Sequence, residues 1–338
     1  MAASTVYKSF NERKEYVKVS NVCLGAGAFG SVTSALEVGN DFPVAVKVPL
    51  VAGNLHAIEH EHVMLSSIRS SGGHPNVIEL VDCGYNTSDP QRSPCLILTK
   101  CDGTLTNWIA AGYKSATALV RTELTRQLYS GVEFLHETGI VHGDLHQGNV
   151  LVHGFSGQIK ISDFGAAQMV SFPEIEMRQD LLRVTKEASL GIWHGCANVD
   201  YLQNEAARKV CIRKGISPQV IGRAEFVILY RPNDMCKDLS DDRRLISWED
   251  LQRTCPGIQD AVRHLMAWKL TNPITQRGLK VPPELHQAFC HASLLGPSHM
   301  LTAKVVAELV GVAISPSRRA EAQGAIREIT AEVNSTEV

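Results

Sequence analysis

The sequence lacks long apolar runs. No segment of its 338 residues reaches the ~18 consecutive apolar residues that a membrane-spanning helix needs. The first twenty residues are polar and charged, so we expect no signal peptide. We therefore expect an intracellular protein, in the cytoplasm or the nucleus, without a membrane span.

Cysteine pairs and excess charge of one sign are also missing. The nine cysteines are odd in number and scattered, and no Cys-x-x-Cys pair occurs, which argues against a disulfide framework or a zinc knuckle. The net charge of −2 gives no indication of a nucleic-acid partner. What remains is an ordinary globular composition, with 44% hydrophobic and 20% charged residues, that leaves the oligomeric state open.

The periodicity of apolar residues divides the chain into two unlike parts. Short strand-like runs surround one helical pattern in the first hundred residues, and helical patterns dominate after residue 105. We expect an α+β fold with a small β-rich part at 18–100 and a larger α-helical part at 101–312. Residues 1–17 and 313–338 are expected to be terminal extensions, the second a loosely held helix or a tail.

A glycine-rich segment, LGAGAFGSV at 24–32, lies between two strand-like runs. The same glycine spacing followed by a helix would indicate a dinucleotide-binding fold, but here a strand follows. This order favours a glycine-rich hairpin over phosphate groups, because residues without side chains let backbone N–H groups approach. On this motif alone, a plain hairpin turn is an equally good interpretation.

Lys47 and Glu61 each carry a charge within an apolar pattern. Lys47 lies in the strand-like run VAVKV, and a buried lysine needs an anion, although an edge-strand lysine can reach solvent instead. Glu61 shares a helix face with Ile58, Leu65 and Ile68. We infer that the two charges pair. His56, His60 and His62 lie near Glu61, but they lack the spacing of a metal site, which makes a metal centre there the weaker hypothesis.

HGDLHQGN at 142–149 is followed, fourteen residues after Asn149, by DFG at 163–165. Mg²⁺ prefers hard oxygen ligands, and Asp163 and Asn149 can supply them. Asp144 is then free to accept the proton of a hydroxyl group and to orient it as a nucleophile. Each residue alone would be an ordinary turn former, but their order and spacing favour the catalytic interpretation.

Together these motifs, with HPN at 74–76, resemble those of the eukaryotic protein kinase family in content and order, over about residues 18–290. The resemblance implies a bilobal protein-kinase-like fold with ATP and Mg²⁺ as cofactors and a protein substrate. It also implies that Asp144 is the catalytic base, that Lys47 contacts the α- and β-phosphates while Glu61 holds it, and that Asn149 and Asp163 bind Mg²⁺. The nucleotide-binding positions it implies are Leu24, Gly25, Ala26, Gly27, Ala28, Phe29, Gly30, Ser31, Val32, Ala45, Lys47, Thr99 and Cys101, with Leu98 as gatekeeper.

The catalytic loop departs from that family at two positions. Gly143 replaces the usual arginine, so we expect activity that does not need phosphorylation of the activation loop. His146 replaces the lysine of serine/threonine kinases, but the tyrosine-kinase signature is absent too, so serine/threonine specificity is favoured. Divergent compact kinases of this sort occur in large DNA viruses, among other places.

Family landmarks further along the chain are less clear. Residues 201–205 resemble the end of the activation segment, and the sequence before Arg277 resembles the partner stretch, which predicts a Glu205–Arg277 ion pair and a long activation segment. The aspartate expected early in the central helix is missing from ISPQVIGRAEFVILYRP, and Asp180 is a possible substitute. This leaves the register of residues 170–240 open.

Two other functions fit parts of the pattern. HGDLHxGN also resembles the catalytic loop of kinase-like small-molecule phosphotransferases, although HPN and the complete glycine loop favour a protein substrate. The other alternative is a non-catalytic ATP-binding interaction module, which the presence of Lys47, Asp144, Asn149 and Asp163 disfavours. The sequence identifies no particular substrate.

Overall fold

The N-terminal part of the chain is built mainly from strands. We describe a computed structural model over residues 5–26, 30–50, 55–112, 115–170, 177, 180–181, 183–185, 190–194, 205–230, 235–237, 245–271, 281–285, 287–288 and 303–336. Its first strands are β1 (Val6–Ser9), β2 (Glu15–Ala26), β3 (Gly30–Glu37), β4 (Pro43–Pro49), β5 (Leu80–Asn86) and β6 (Pro94–Thr99), with helix α1 (Leu55–Ser70) between β4 and β5.

These six strands close on themselves in the order β1-β2-β3-β4-β6-β5, and every neighbouring pair is antiparallel. Closure depends on β1, which pairs with β2 on one side and with β5 on the other. Residues 6–9, expected to belong to a terminal extension, are therefore part of the sheet. Closure leaves no free sheet edge here at which another chain can add a strand.

Alternation along β4 explains why a lysine lies in a strand. Successive side chains of a strand point to opposite faces. Val44 and Val46 pack in a small cluster with Tyr7, Tyr16 and Ile97, whereas Ala45 packs in the large core that includes residues of α1. Lys47 shares the face of Ala45, so its side chain is directed to the α1 side of the sheet.

The middle of the chain combines two helices with short strands. Thr117 caps the longer helix, because its side-chain oxygen accepts a hydrogen bond from the Val120 N–H group. Asn76 of the HPN motif is buried and donates to Gln127 of that helix and to the Ile159 carbonyl, which ties the helix to a strand. The elements are β7 (Gly103–Thr104), α2 (Leu105–Gly112), α3 (Ala118–Glu137), β8 (Ile140–Val141), β9 (Val150–His153), β10 (Gln158–Ile161) and β11 (Gln168–Met169), with 3₁₀ turns at Gln147–Asn149 and Phe164–Ala166.

The remainder of the described chain is mainly helical. Its core residues, such as Trp193, Ala224 and Leu265, belong to the same large apolar core as α3. A single hairpin of two short strands interrupts the helices in this part of the description. The elements are α4 (Leu190–His194), α5 (Glu205–Arg213), α6 (Pro218–Tyr230), β12 (Met235–Lys237), β13 (Leu245–Ser247), α7 (Trp248–Thr254), α8 (Ile258–Thr271), α9 (Ala303–Val312) and α10 (Pro316–Thr336).

The last helix, α10, is packed and not loose. Ile326 and Ile329 are buried in the large core, and Thr330 accepts a hydrogen bond from the buried Trp108 indole at 2.9 Å. Asn334 reaches Asp102, just after β6, at 3.2 Å. The expectation of a loosely held helix or a tail was therefore wrong. Apolar burial and the partner of a buried indole fix the helix instead.

At the level of element content, the structure confirms an α+β fold with a β-rich N-terminal part and a helical C-terminal part. The helical patterns that the sequence shows from about Leu55 to Ile68 and over residues 123–139 correspond to α1 and α3. The division between residues 100 and 101 stays a prediction. Among the described residues, no helix is long and apolar enough to span a membrane.

Candidate active site

Lys47 of β4 lies between two carboxylates. Its ammonium nitrogen is 2.6 Å from Glu61 Oε2 on α1 and 2.9 Å from Asp163 Oδ1. The predicted Lys47–Glu61 pair is thus confirmed, and Asp163 completes a cluster of three charges. Burial disfavours the charged form of Lys47, but the two carboxylates outweigh it and raise the pKa of Lys47 above its ordinary value.

Asp163 is held in an unusual backbone conformation. Its φ of 64° and ψ of 75° lie in the left-handed region, which residues other than glycine seldom adopt. Such strain persists where surrounding contacts determine the conformation, and it is concentrated at functional sites. Burial alone would raise the pKa of Asp163, but Lys47 is close enough to lower it below the usual value. The carboxylate therefore stays ionised at neutral pH.

His142 fixes the start of the loop at 142–149. The fully buried ring donates from Nε2 to the Ser162 carbonyl at 2.9 Å and packs 5.0 Å from the Phe164 ring. Its Nδ1 accepts from the Asp144 N–H group at 3.3 Å. One ring nitrogen donates and the other accepts, so the ring is neutral, and burial lowers the pKa of His142.

Asp144, His146 and Asn149 come together on this loop. The amide nitrogen of Asn149 donates to the Asp144 carbonyl at 2.9 Å and to its Oδ2 at 3.2 Å. His146 Nε2 lies 3.5 Å from the same Oδ2. The Asp144 side chain is 52% exposed, so it is accessible from solvent. The N–H group of Ser162 donates to the Asn149 carbonyl at 2.8 Å, which brings Asp163 beside the loop.

A buried aspartate anchors the loop from outside. Asp180 is 1% exposed, and its carboxylate accepts the His142 N–H at 2.6 Å and the Gly143 N–H at 2.9 Å. His136 lies 3.4 Å away. The sequence offers Asp180 as a possible substitute for the aspartate of the central helix, and the structure gives it backbone contacts to the loop.

Part of the segment after Asp163 packs into the core. Leu181, Val184, Ile192 and Trp193 are buried there, while the long activation segment from 163 to 205 stays a prediction. The aspartate that anchors the loop, Asp180, therefore precedes Glu205 in the sequence. The predicted Glu205–Arg277 pair falls outside the described residues.

The predicted nucleotide-binding positions are described only in part. Gly27, Ala28 and Phe29 lie outside the described residues. Leu24, Gly25 and Ala26 are exposed at the end of β2, and Gly30, Ser31 and Val32 begin β3 opposite β4. Ala45 is buried, Thr99 ends β6, and Cys101 follows it. Burial raises the pKa of Cys101 to about 12, so this thiol is neutral at physiological pH.

Sequence reasoning missed a contact between α1 and the segment after DFG. His60 Nε2 donates to the Ala167 carbonyl at 2.7 Å. The neighbouring histidines are used elsewhere: His56 faces Glu59, and His62 contacts Ser66. The three rings thus have separate partners. Their spacing contained no signal for the Ala167 contact, which joins residues 107 positions apart.

Arg183 is the second residue that the sequence did not indicate. It lies on the helical turn that follows Asp180, and its guanidinium donates to the Gly143 carbonyl. The same group lies 3.7 Å from Asp144 Oδ1. No motif marks this position, because the contact depends on how the turn packs beneath the loop.

Comparison with known proteins finds similarity to protein kinases, both in a family model and in individual relatives. Residues 19–184 match the family described as protein kinase domain. Cell division control protein 7 of Schizosaccharomyces pombe is 31% identical over 153 residues, which are 44% of this chain and 14% of that protein. Cyclin-dependent kinase 4 of Xenopus laevis is 31% identical over 154 residues, 44% of this chain and 48% of that protein, and its Mus musculus counterpart is 32% identical over 157 residues, 44% and 52%. The aligned region thus spans about half or less of each relative's length.

Proposed function

Because residues 19–184 of this chain belong to the eukaryotic protein kinase superfamily, we propose that the protein transfers the γ-phosphate of ATP to a serine or threonine hydroxyl of a protein substrate. The observation that carries the proposal is the cluster in which the Lys47 ammonium lies 2.6 Å from Glu61 and 2.9 Å from Asp163. A degenerate binding module has no need to keep Asp144 and Asn149 beside that cluster.

The nucleotide side of the site is formed by the β-rich part. In the bilobal arrangement that we propose, ATP lies between this part and the helical part. Lys47 contacts the α- and β-phosphates, Glu61 holds the lysine, and the glycine-rich loop covers the phosphates. Ala45 and Leu24 enclose the adenine, with the backbone from Thr99 to Cys101 along its edge and Leu98 behind it.

The residues proposed to bind Mg²⁺ fit that ion chemically. Asp163 and Asn149 offer a carboxylate and an amide oxygen, the hard ligands that Mg²⁺ accepts, and substrate phosphates commonly complete its shell. The amide N–H group of Asn149 is used on Asp144, so its amide oxygen is the atom suited to a cation. When bound, Mg²⁺ would neutralise charge on the β- and γ-phosphates.

Asp144 is the proposed base of the transfer. The hydroxyl oxygen of the acceptor forms a bond to the γ-phosphorus while the bond between that phosphorus and the β–γ bridging oxygen breaks. ADP leaves with the bridging oxygen, and the hydroxyl proton passes to the Asp144 carboxylate. The protein contributes mainly position and compensating charge, since phosphoryl transfer needs little covalent chemistry from it.

A transfer assay with labelled ATP and Mg²⁺ tests the proposal, using a mixed protein substrate beside a panel of sugars, lipids and aminoglycosides. We expect label on serine or threonine with the wild type and none with Asp144→Asn. Label only on small molecules would identify a small-molecule phosphotransferase instead. ATP binding without transfer to any acceptor would contradict an enzymatic function and indicate an interaction module.

A further inference from the structure

Arg183 brings a permanent positive charge to the loop that carries Asp144. Its Nη1 donates to the Gly143 carbonyl and lies 3.7 Å from Asp144 Oδ1. The Arg183 side chain is only 29% exposed, so it is partly shielded from solvent. A guanidinium remains charged throughout the physiological pH range and offers several donors in a rigid plane.

The loop itself has no room for such a cation at residue 143. Gly143 has a φ of 78°, which disfavours any residue with a side chain. A Cβ atom added there would also lie 2.7 Å from the Ala166 carbonyl oxygen, closer than such contacts normally are. The arginine that the resembled family carries at this position is therefore excluded by the backbone and not merely substituted.

Asp180 and Arg183, both in helical conformation, hold both sides of Gly143. Asp180 accepts the Gly143 N–H at 2.9 Å, and Arg183, three residues later, donates to the Gly143 carbonyl. Residues three apart on a helical turn lie on the same face. One small face of the molecule thus fixes the orientation of the residue immediately before Asp144.

The other partners of the Asp144 carboxylate are weaker candidates for a fixed charge. His146 Nε2 is 3.5 Å from Oδ2 and is charged only when protonated. Asn149 donates to Oδ2 but is neutral. Lys47 is engaged by Glu61 and Asp163. Among the described contacts of Asp144, Arg183 alone supplies a constant cation, and it does so at the opposite oxygen, Oδ1.

We propose that Arg183 is the positioning residue of the active site: it holds the carboxylate of Asp144 in the orientation that accepts the substrate proton. The order that other kinases gain from a phosphorylated loop is then built into the fold by a guanidinium from a different element. This inference rests on the proposed function, because its kinetic test measures phosphate transfer. Its crystallographic test measures only the position of the Asp144 side chain.

The kinetic test compares Arg183→Ala and Arg183→Lys with the wild-type full chain. Loss of the guanidinium should lower kcat roughly 10- to 100-fold, the effect of a misplaced catalytic group, while the KM for ATP changes less than about twofold. Lysine should restore part of kcat because it keeps the charge but not the planar fork. In an Asp144→Asn background, Arg183→Ala should cause no further loss, since the two residues act as one unit.

Arg253→Ala is the matched control, because Arg253 forms an exposed pair with Asp250 at 2.5 Å on α7. Its kcat should equal that of the wild type. An unchanged kcat in Arg183→Ala, or a full additional loss in the Asp144→Asn background, would overturn the proposal. A fall in kcat that follows only a fall in the folded fraction, measured by thermal unfolding, would overturn it too.

Crystal structures of wild type and Arg183→Ala separate this inference from the proposed function. If the wild type transfers no phosphate, the proposed function fails, yet the orientation of Asp144 is still measurable. We expect the Asp144 carboxylate to leave its wild-type position or to occupy several positions in the variant. An Asp144 side chain that superimposes on the wild type would contradict a positioning role.

Discussion

The two halves of the proposed active site are built in different ways. The Lys47–Glu61–Asp163 cluster is held by direct contacts between side chains, and Glu61 is only 2% exposed. The loop that carries Asp144 is held mainly through its backbone, by Asp180 and His142, while the Asp144 side chain stays half exposed. Under the proposed function, the difference corresponds to two tasks: the cluster is assembled before the nucleotide binds, and the loop leaves the Asp144 carboxylate open to the protein substrate.

The largest effect should come from the cluster. Lys47→Met removes the cation that we propose contacts the phosphates and should lower transfer by about 10²- to 10³-fold, as when a preorganised charge partner is lost. It also leaves Glu61 buried without its cation, which typically costs about 3 kcal/mol of folding free energy. Transfer rates and urea unfolding of the purified variant measure the two effects separately.

A double variant sharpens this test. Lys47→Met/Glu61→Gln removes the uncompensated carboxylate and should recover much of the lost stability but none of the activity. Recovery of transfer in the double variant would show that Lys47 has no role of its own toward the nucleotide.

Asp180→Asn tests the anchor of the loop. The amide can accept one backbone N–H but points its own N–H₂ group at the other, so we expect a loss of about 2–3 kcal/mol. Chemical denaturation reports the change, and Asp260→Asn is the control because Asp260 lies at an exposed position, where it pairs with Arg263. Equal stability of both variants would mean that the loop is not held through Asp180.

Thr330→Val concerns α10, outside both halves of the site. It leaves the buried Trp108 indole N–H without its acceptor, which should cost about 1–2 kcal/mol while leaving transfer unchanged. Ser335→Ala, at an exposed position of the same helix, should have no effect on the unfolding midpoint. If Thr330→Val lowered phosphate transfer under conditions where the variant is fully folded, α10 would have a role in the active site.

The smallest expected effect is a pH dependence of stability. Burial, with Arg126 and Lys160 nearby, lowers the pKa of His74 from 6.5 to about 4. Between pH 6.5 and about pH 4, His74 binds a proton in the unfolded chain but not in the native protein. The stability that is present above pH 6.5 is therefore lost as the pH falls toward 4. Urea unfolding at about pH 7.5 and about pH 5 should show a smaller difference for His74→Gln than for wild type. An identical difference would contradict the shift.

The local sequence pattern predicted the Lys47–Glu61 pair, but it did not predict the contacts that hold the loop at 142–149. The apolar stripe of α1 identified Glu61 as inward-facing, and the single lysine on a buried strand supplied its partner. Asp180 and Arg183 reach the loop from 37 to 40 residues away in sequence, through packing that no local pattern encodes. A sequence signal for α10 did exist: Ala322, Ile326 and Ile329 recur at helical spacing and are buried.

The most direct test of the account measures ATP–Mg²⁺ affinity and phosphoryl transfer together in Asp144→Asn. If the cluster binds the nucleotide and the loop performs the transfer, the variant should bind within about twofold of wild type and transfer at least about 100-fold more slowly. Transfer at the wild-type rate would contradict the role of Asp144. A parallel loss of nucleotide affinity would contradict the division of the site into two independent halves.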